Sequence, residues 1–341
     1  MTETAKQRKT NKTMQANWKV HDTPQDCSLT PTIGVSLWLG LMGLLVYSTI
    51  YAALFATAFR RNVIFSILAL SFILPPSFPG ALGVKVANWI MQQARKYFGL
   101  KVTIENEEAL HDINKSGKTA IIAIEPHDIL PFGVFAMNPV LNVLPGRLGE
   151  TCTVLMTSAV FSIPLIKHVY YWVGGRPVDK KTFRSQLANN ECTAFVPGGV
   201  QEVILKDPNK PDDLILFLKN RKGFVKLALE RGNSIVPVFV FNLDHSYGSI
   251  VPRGELITKV ARAIGFLPVF FWGRFGIPLG IPKPVKISMV LGEPISVPCE
   301  KDNVSTESVE KYHAVFVEKM EELFERHKHS EGYGHRNLVI L

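Results

Sequence analysis

IIAIEPHDILPFGVF, residues 121–135, decides the fold. Its aliphatic opening lacks the polar alternation of a strand with one wet face, so it reads as a strand covered on both sides. The run ends in Glu125, Pro126, His127 and Asp128, then turns apolar again. In open α/β sheets ligands sit beyond the carboxyl ends of the strands, so a histidine at this point is placed for chemistry. Pro126 fixes φ and stiffens the approach. A neutral imidazole here can take a proton from an alcohol or thiol near pH 7. The alternative on position alone is a structural histidine capping the next helix.

Further β-rich runs follow at 151–159, 192–199, 234–242 and 285–294, separated by helical patterns. KGFVKLALERG, residues 222–232, reads as an amphipathic helix ending at Gly232. The last helix spans about 306–327, with Val309, Tyr312, Phe316, Met320 and Leu323 on one face. Alternating strands and helices imply an α/β domain over residues 85–341, a sheet flanked by helices.

Upstream the character differs. Residues 1–30 are polar, carry Lys6, Arg8, Lys9, Lys12 and Lys19, and read as a flexible basic tail. Residues 31–84 hold two uncharged apolar runs, 33–59 and 63–84, separated by Arg60, Arg61 and Asn62. The first exceeds the roughly 20 residues that cross a bilayer. The expectation is a membrane hairpin of one or two transmembrane segments, with basic residues outside both ends holding them on the cytoplasmic side. Arg60 and Arg61 at the tip oppose that rule, which leaves a re-entrant hairpin open. The Gly/Pro-rich loop 273–284 has apolar residues suited to a membrane surface.

The chain has 341 residues, 47% of them hydrophobic, and a net charge of +9. That excess of cations calls for an anionic partner. No zinc-finger spacing or aromatic ribonucleoprotein box is present, so nucleic acid yields to membrane lipid plus a phosphorylated ligand. Cys27, Cys152, Cys192 and Cys299 are far apart, without metal-ligand spacing, which fits a reducing environment and no metal. FVPGGVQEVIL, residues 195–205, ends a second strand. Gly198 and Gly199 allow close backbone approach, with N–H groups for an oxyanion or phosphate. Glu202 either orients His127 or is an ordinary first-turn acid. No Gly-x-Ser-x-Gly elbow exists, which argues against a serine lipase.

These residues resemble the type-2 diacylglycerol acyltransferases, of the plant and algal kind. Animal and fungal members carry His-Pro-His-Gly, plant members Glu-Pro-His-Ser; here stands Glu125-Pro126-His127-Asp128. The likeness continues through YFGLKV (97–102), VPGGVQE (196–202, with Pro197, Gly198 and Gly199), RKGFVKLALERG (221–232) and VPVFVFN (236–242). FWGRFGIPL (271–279), GEPI (292–295) and LFERHKHSEGY (323–333) complete it, so it covers residues 95–333, and the apolar double run matches the family's hairpin.

The resemblance implies a glycerolipid-acyltransferase-like sheet and transfer of an acyl group from acyl-CoA to diacylglycerol. Acyl-CoA is then a substrate, and no cofactor is expected. It implies the endoplasmic reticulum membrane with the catalytic domain facing the cytosol, and lipid droplets as a second location; self-association stays open. His127 matches the catalytic histidine and Glu202 the family's Pro-Gly-Gly-x-x-Glu position. Phe132 stands where the wider glycerolipid acyltransferases have an aspartate, so Glu202 is the candidate to orient His127. Asp128 departs from Ser or Gly; it either stabilises the imidazolium or caps the next helix and faces away, and the cap is favoured because adjacent residues rarely point at one another. Arg221, Lys222, Lys226 and Arg231 are candidates for the CoA phosphates, or else a solvated helix face. The same motifs would serve a monoacylglycerol or fatty-alcohol acceptor. A non-catalytic lipid carrier is disfavoured by the intact His127 and VPGGVQE.

Overall fold

The computed structural model describes residues 18–252 and 269–341, together with Gly254 and Lys259. Its strands are β1 (Lys19–Asp22), β2 (Lys101–Ile104), β3 (Ala120–Glu125), β4 (Thr153–Met156), β5 (Gly175–Pro177) and β6 (Thr193–Phe195), then β7 (Asp213–Leu216), β8 (Ser234–Phe241), β9 (Gly248–Ile250), β10 (Phe270–Trp272), β11 (Ser288–Leu291) and β12 (Asn337–Ile340). Among the described residues, eight of them form the central sheet in the order β1-β2-β11-β8-β3-β6-β4-β5. From β8 to β5 all neighbours are parallel. β11 runs antiparallel to β8 and parallel to β2, and β1 closes the edge antiparallel to β2. β9 pairs with β10, and β7 with β12.

β3 and β8 are buried along their whole lengths, as their unalternating sequences require. The pleat sends alternate side chains to opposite faces. Ala120, Ile122, Ile124, Val236, Val238 and Val240 pack with Ile90, Met91, Ala94 and Tyr97 of the helix Ala81–Tyr97. Ile121, Ala123, Ile235, Phe239 and Phe241 pack with Phe224 and Val225 of the helix Gly223–Arg231 and with Phe316, Met320 and Leu323 of the helix Thr306–His327. Both of those helices occupy the spans their periodicity gave. The expected strands are present, all but one trimmed at both ends; β8 begins at Ser234 as expected and stops one residue short.

The N-terminal third differs from expectation. Residues 1–17 of the expected tail lie outside the described residues, but Lys19–Asp22 add β1 to the sheet and Leu29 opens a helix. Of the hairpin expected over 31–84, the structure shows a bent pair of apolar helices. Among the described residues no single helix is long and apolar enough to span a bilayer; only Leu29–Ser36 with Leu41–Leu54, bent by 69°, passes jointly. The helix Ala58–Ile73 has 16 residues. At 1.5 Å per residue it reaches about 24 Å, short of the roughly 30 Å of a hydrocarbon core.

The bend has a cause. Val35, Trp38, Leu39 and Leu41 are buried in the domain core with the helix Ala81–Tyr97. Gly34 lies so close to that helix that a Cβ would stand 2.4 Å from Gln93 Cβ. Past Leu41 the run turns outward: Leu44, Ile50, Leu54, Phe55, Phe59, Ile67, Phe72 and Ile73 are exposed. Phe275 and Ile277, from the loop expected at the membrane surface, are exposed as well. The loop adjoins the outward helix, with Tyr47 donating its hydroxyl to Pro278 O.

The end of Ala58–Ile73 is pinned to the domain by polar groups. Leu165 N donates to Ser71 Oγ at 2.7 Å, Lys167 Nζ to Phe72 O at 2.8 Å and His168 Nε2 to Ser71 O at 3.0 Å. The last two occupy carbonyls that a helix C-terminus leaves unpaired.

Trp38→Ala should therefore destabilise the domain by about 3–5 kcal/mol, the usual cost of a buried Trp truncation. Phe55→Ala, at an exposed position, should stay within about 0.5 kcal/mol. Denaturant unfolding in detergent measures both, and equal effects would refute this division of the run.

Candidate active site

β3 and β6 are parallel neighbours whose carboxyl ends open the site. Glu125 is the last residue of β3, and Pro197, Gly198 and Gly199 follow β6 before the short helix Gln201–Leu205. The two strand ends exchange hydrogen bonds. Gly198 N donates to Glu125 Oε1 at 2.7 Å, and His127 N donates to Glu202 Oε2 at 2.7 Å. Phe217 N, just beyond β7, donates to Glu202 Oε1 at 3.0 Å. Both carboxyl groups are essentially inaccessible, Glu125 at 0% and Glu202 at 1% exposure.

The paired glycines serve two different needs. A Cβ on Gly198 would fall 1.8 Å from Glu202 Oε1, so this position must be glycine on contact grounds. Gly199 has open space around it but φ +63°, so it is glycine on conformational grounds. The expectation that both N–H groups face a ligand is corrected, since that of Gly198 is committed to Glu125.

His127 is part-buried. Its Nδ1 lies 2.6 Å from the main-chain carbonyl of Asp128. A carbonyl only accepts, so Nδ1 carries the proton and Nε2 keeps its lone pair. Burial holds the ring below the usual histidine pKa, against the upward pull of the Asp128 carbonyl and carboxylate. The imidazole is thus neutral at pH 7.

Asp128 does not cap the next helix. The following turn, Phe132–Met137, has Pro131 at its start and no side-chain cap. Asp128 sits at φ +49°, a conformation that Asp tolerates, and its buried carboxylate pairs with Lys206. Burial works against charge on Lys206, but Asp128, with Asp244 and Glu202 nearby, outweighs it and raises the lysine pKa. Asp244 is in turn held by Arg336 at 2.9 Å and by the Tyr333 hydroxyl. Glu202 touches His127 at its main-chain N–H and not at its ring, so the ring is oriented by the Asp128 carbonyl instead. Phe132 is core, stacked on Phe98 at 4.7 Å.

Burial, then the neighbouring Glu202, pushes Glu125 well above the usual carboxylate range. Burial also raises Glu202, to about 7, although Glu125 and the two main-chain N–H donors pull it back.

The four candidate phosphate cations do not form one cluster. Arg221 is exposed over the Phe217 ring, and Lys222 binds Glu310 at 2.6 Å. Lys226 and Arg231 lie exposed on the helix Gly223–Arg231. Arg231 comes just before Ser234, which is level with Ala120 at the start of β3, so it sits at the opposite end of the sheet from His127. Sequence reasoning missed Phe217, whose contribution is a main-chain N–H, and Lys206, whose spacing of four from Glu202 was the available signal.

Gly198→Ala should destabilise the protein by about 1–3 kcal/mol, the cost of unseating a buried hydrogen-bonded group. In a Glu202→Ala background most of that cost should vanish, because the collision partner is gone. A thermal-unfolding cycle checks this; simple additivity would refute the contact.

A family model described as "Diacylglycerol acyltransferase" matches residues 49–341. Diacylglycerol O-acyltransferase 2 of Dictyostelium discoideum is 33% identical over 251 residues, covering 69% of this chain and 72% of that one. Diacylglycerol O-acyltransferase 2-like protein 6 of Bos taurus is 28% identical over 334 residues, 91% of this chain and 96% of its own. The Homo sapiens protein of the same name is 30% identical over 266 residues, 72% and 76% of the two chains. A match across this much of the chain, including both strand ends that build the site, makes the chain a member of the diacylglycerol acyltransferase family.

Proposed function

We propose that the protein makes triacylglycerol by transferring the acyl group of acyl-CoA to the free hydroxyl of diacylglycerol, with His127 as general base. One observation carries this reading: Nδ1 of His127 is committed to the Asp128 carbonyl at 2.6 Å, which leaves Nε2 as a neutral acceptor. Nε2 takes the hydroxyl proton as the oxygen attacks the thioester carbonyl carbon. The C–O bond forms, the carbonyl π pair moves to oxygen, and the oxyanion collapses with cleavage of the C–S bond. The CoA thiolate leaves and is reprotonated by the imidazolium, so the base is regenerated. Gly199 N–H, which meets no acceptor among the described residues, is the candidate oxyanion donor. Arg221, near Glu125, is the best placed of the four cations for a CoA phosphate.

The exposed apolar helices Leu41–Leu54 and Ala58–Ile73, with the Phe275 loop, supply a surface for membrane lipid. Their lengths suit insertion into one leaflet. This supports attachment to the endoplasmic reticulum or to a lipid droplet, with both ends of the chain on the cytosolic side.

His127→Ala should lower kcat by about 10²–10⁴-fold, the contribution of a general base. Radiolabelled acyl-CoA with diacylglycerol vesicles measures it, and near-normal synthesis by the folded variant would overturn the assignment. The pH profile follows from the shifts. His127 loses its proton below the usual histidine value and Glu202 near 7. Turnover should therefore rise as pH increases through neutrality and flatten above; a profile falling through that range would count against both roles.

A further inference from the structure

We propose that Glu125 and Glu202 share a single proton: Glu125 is a carboxylic acid whose Oε2–H donates to the Glu202 carboxylate, which makes Glu125 a positioning residue for His127.

The donors around the pair are unequal. Glu202 receives a main-chain N–H on each oxygen, from His127 at 2.7 Å and Phe217 at 3.0 Å. Two such donors favour the ionised form. Glu125 receives one, from Gly198 on Oε1 at 2.7 Å. Its Oε2 is buried and meets no donor. The carboxyl group of Glu202 neighbours that of Glu125, and the Gly198 backbone lies against both. As a carboxylate, Glu125 would place an unsatisfied buried acceptor beside a like charge, a doubly unfavourable arrangement. As an acid, it turns the same oxygen into a donor, and the partner already present is the acceptor it needs.

The charged groups facing the pair do not remove this need. Arg221 faces Glu125 but is exposed and stacked on Phe217. Lys206 faces Glu202, yet its ammonium binds Asp128. Asp128 and His127 complete the surroundings. The consequence is mechanical. The shared proton fixes the Glu202 carboxylate against the end of β3, and that carboxylate holds the main-chain N–H of His127. Loss of the Glu125 donor therefore disturbs the base without removing it, and releases Glu202 to titrate at higher pH.

The inference rests on the acyl-transfer reading only for its kinetic consequence, so its test has an arm that needs no turnover. Infrared difference spectra of the detergent-solubilised protein at alkaline pH should show a protonated-carboxyl C=O stretch, shifted by ¹³C-glutamate labelling and absent from Glu125→Gln. Its absence from the wild-type protein overturns the proposal even if the enzyme is active. In the kinetic arm, Glu125→Gln keeps a neutral donor and should retain kcat within about threefold, with KM unchanged. Glu125→Leu should lower kcat more than KM and move the acid limb of the pH profile up by about one unit. Gln as damaging as Leu, or Leu without effect, overturns the proposal.

Discussion

The site depends on a reciprocal exchange between two strand ends. Each contributes one carboxyl group and one main-chain N–H: Glu125 at the end of β3 accepts from Gly198 after β6, and Glu202 after β6 accepts from His127 after β3. Adjacent parallel strands fix the spacing at their carboxyl ends, and the exchange converts that spacing into a fixed backbone at His127. The remaining features of the motif follow. Gly198 admits no side chain because the Glu202 carboxylate fills that space, and Gly199 must turn the chain so that Glu202 can come back. β7 matters because Phe217 lies at its end, and β12 matters because it pairs with β7 up to Leu216. The C-terminal residues of the chain thus brace the second oxygen of Glu202.

The apolar N-terminal run meets a different constraint. Its first part is protein core and its second part is exposed, although the sequence is equally apolar in both. What separates them is packing of Val35, Trp38, Leu39 and Leu41 against the helix Ala81–Tyr97, while the outer helix is held by polar bonds, Lys167 and His168 binding carbonyls at the end of Ala58–Ile73. These residues belong to the connection that leaves β4 at the His127 end of the sheet. The polar pins therefore hold the exposed apolar helix to the side of the domain where His127 stands.

Much of this was legible in the chain, and the omissions have physical reasons. β3 and β8 declare themselves because burial on both faces demands unbroken aliphatic runs. Gly223–Arg231 and Thr306–His327 do so because each buries one stripe. β2, β5, β7 and β12 are three or four residues long, set by their partners rather than by their own pattern. Hydropathy does not divide the run over 31–84, because it reports what avoids water, and protein core and lipid satisfy it alike. At the site, His127, Glu202 and Gly198 were visible as residue types at telling positions. The Asp128 carbonyl and the Phe217 N–H were not, because every residue carries those groups and only the fold selects one. The four cations are near in sequence but separate in the fold, because the helix Gly223–Arg231 carries Arg231 toward the start of β8.

The choice of a carbonyl to orient His127 suits the chemistry. A carboxylate in contact with Nδ1 would favour the imidazolium and raise the ring's pKa. The Asp128 carbonyl fixes the same tautomer with a partial charge, and burial then keeps the ring neutral. An amide substrate, with a poor leaving group, would need protonation by the imidazolium before its C–N bond could break. A thioester does not, because the thiolate departs readily. The Asp128 carboxylate is free to do another task, and its pairing with Lys206 anchors the residue whose carbonyl does the orienting. One residue thus supplies the orienting dipole through its main chain and its own anchorage through its side chain. A charged residue can thus stand directly after a histidine whose resting state is uncharged.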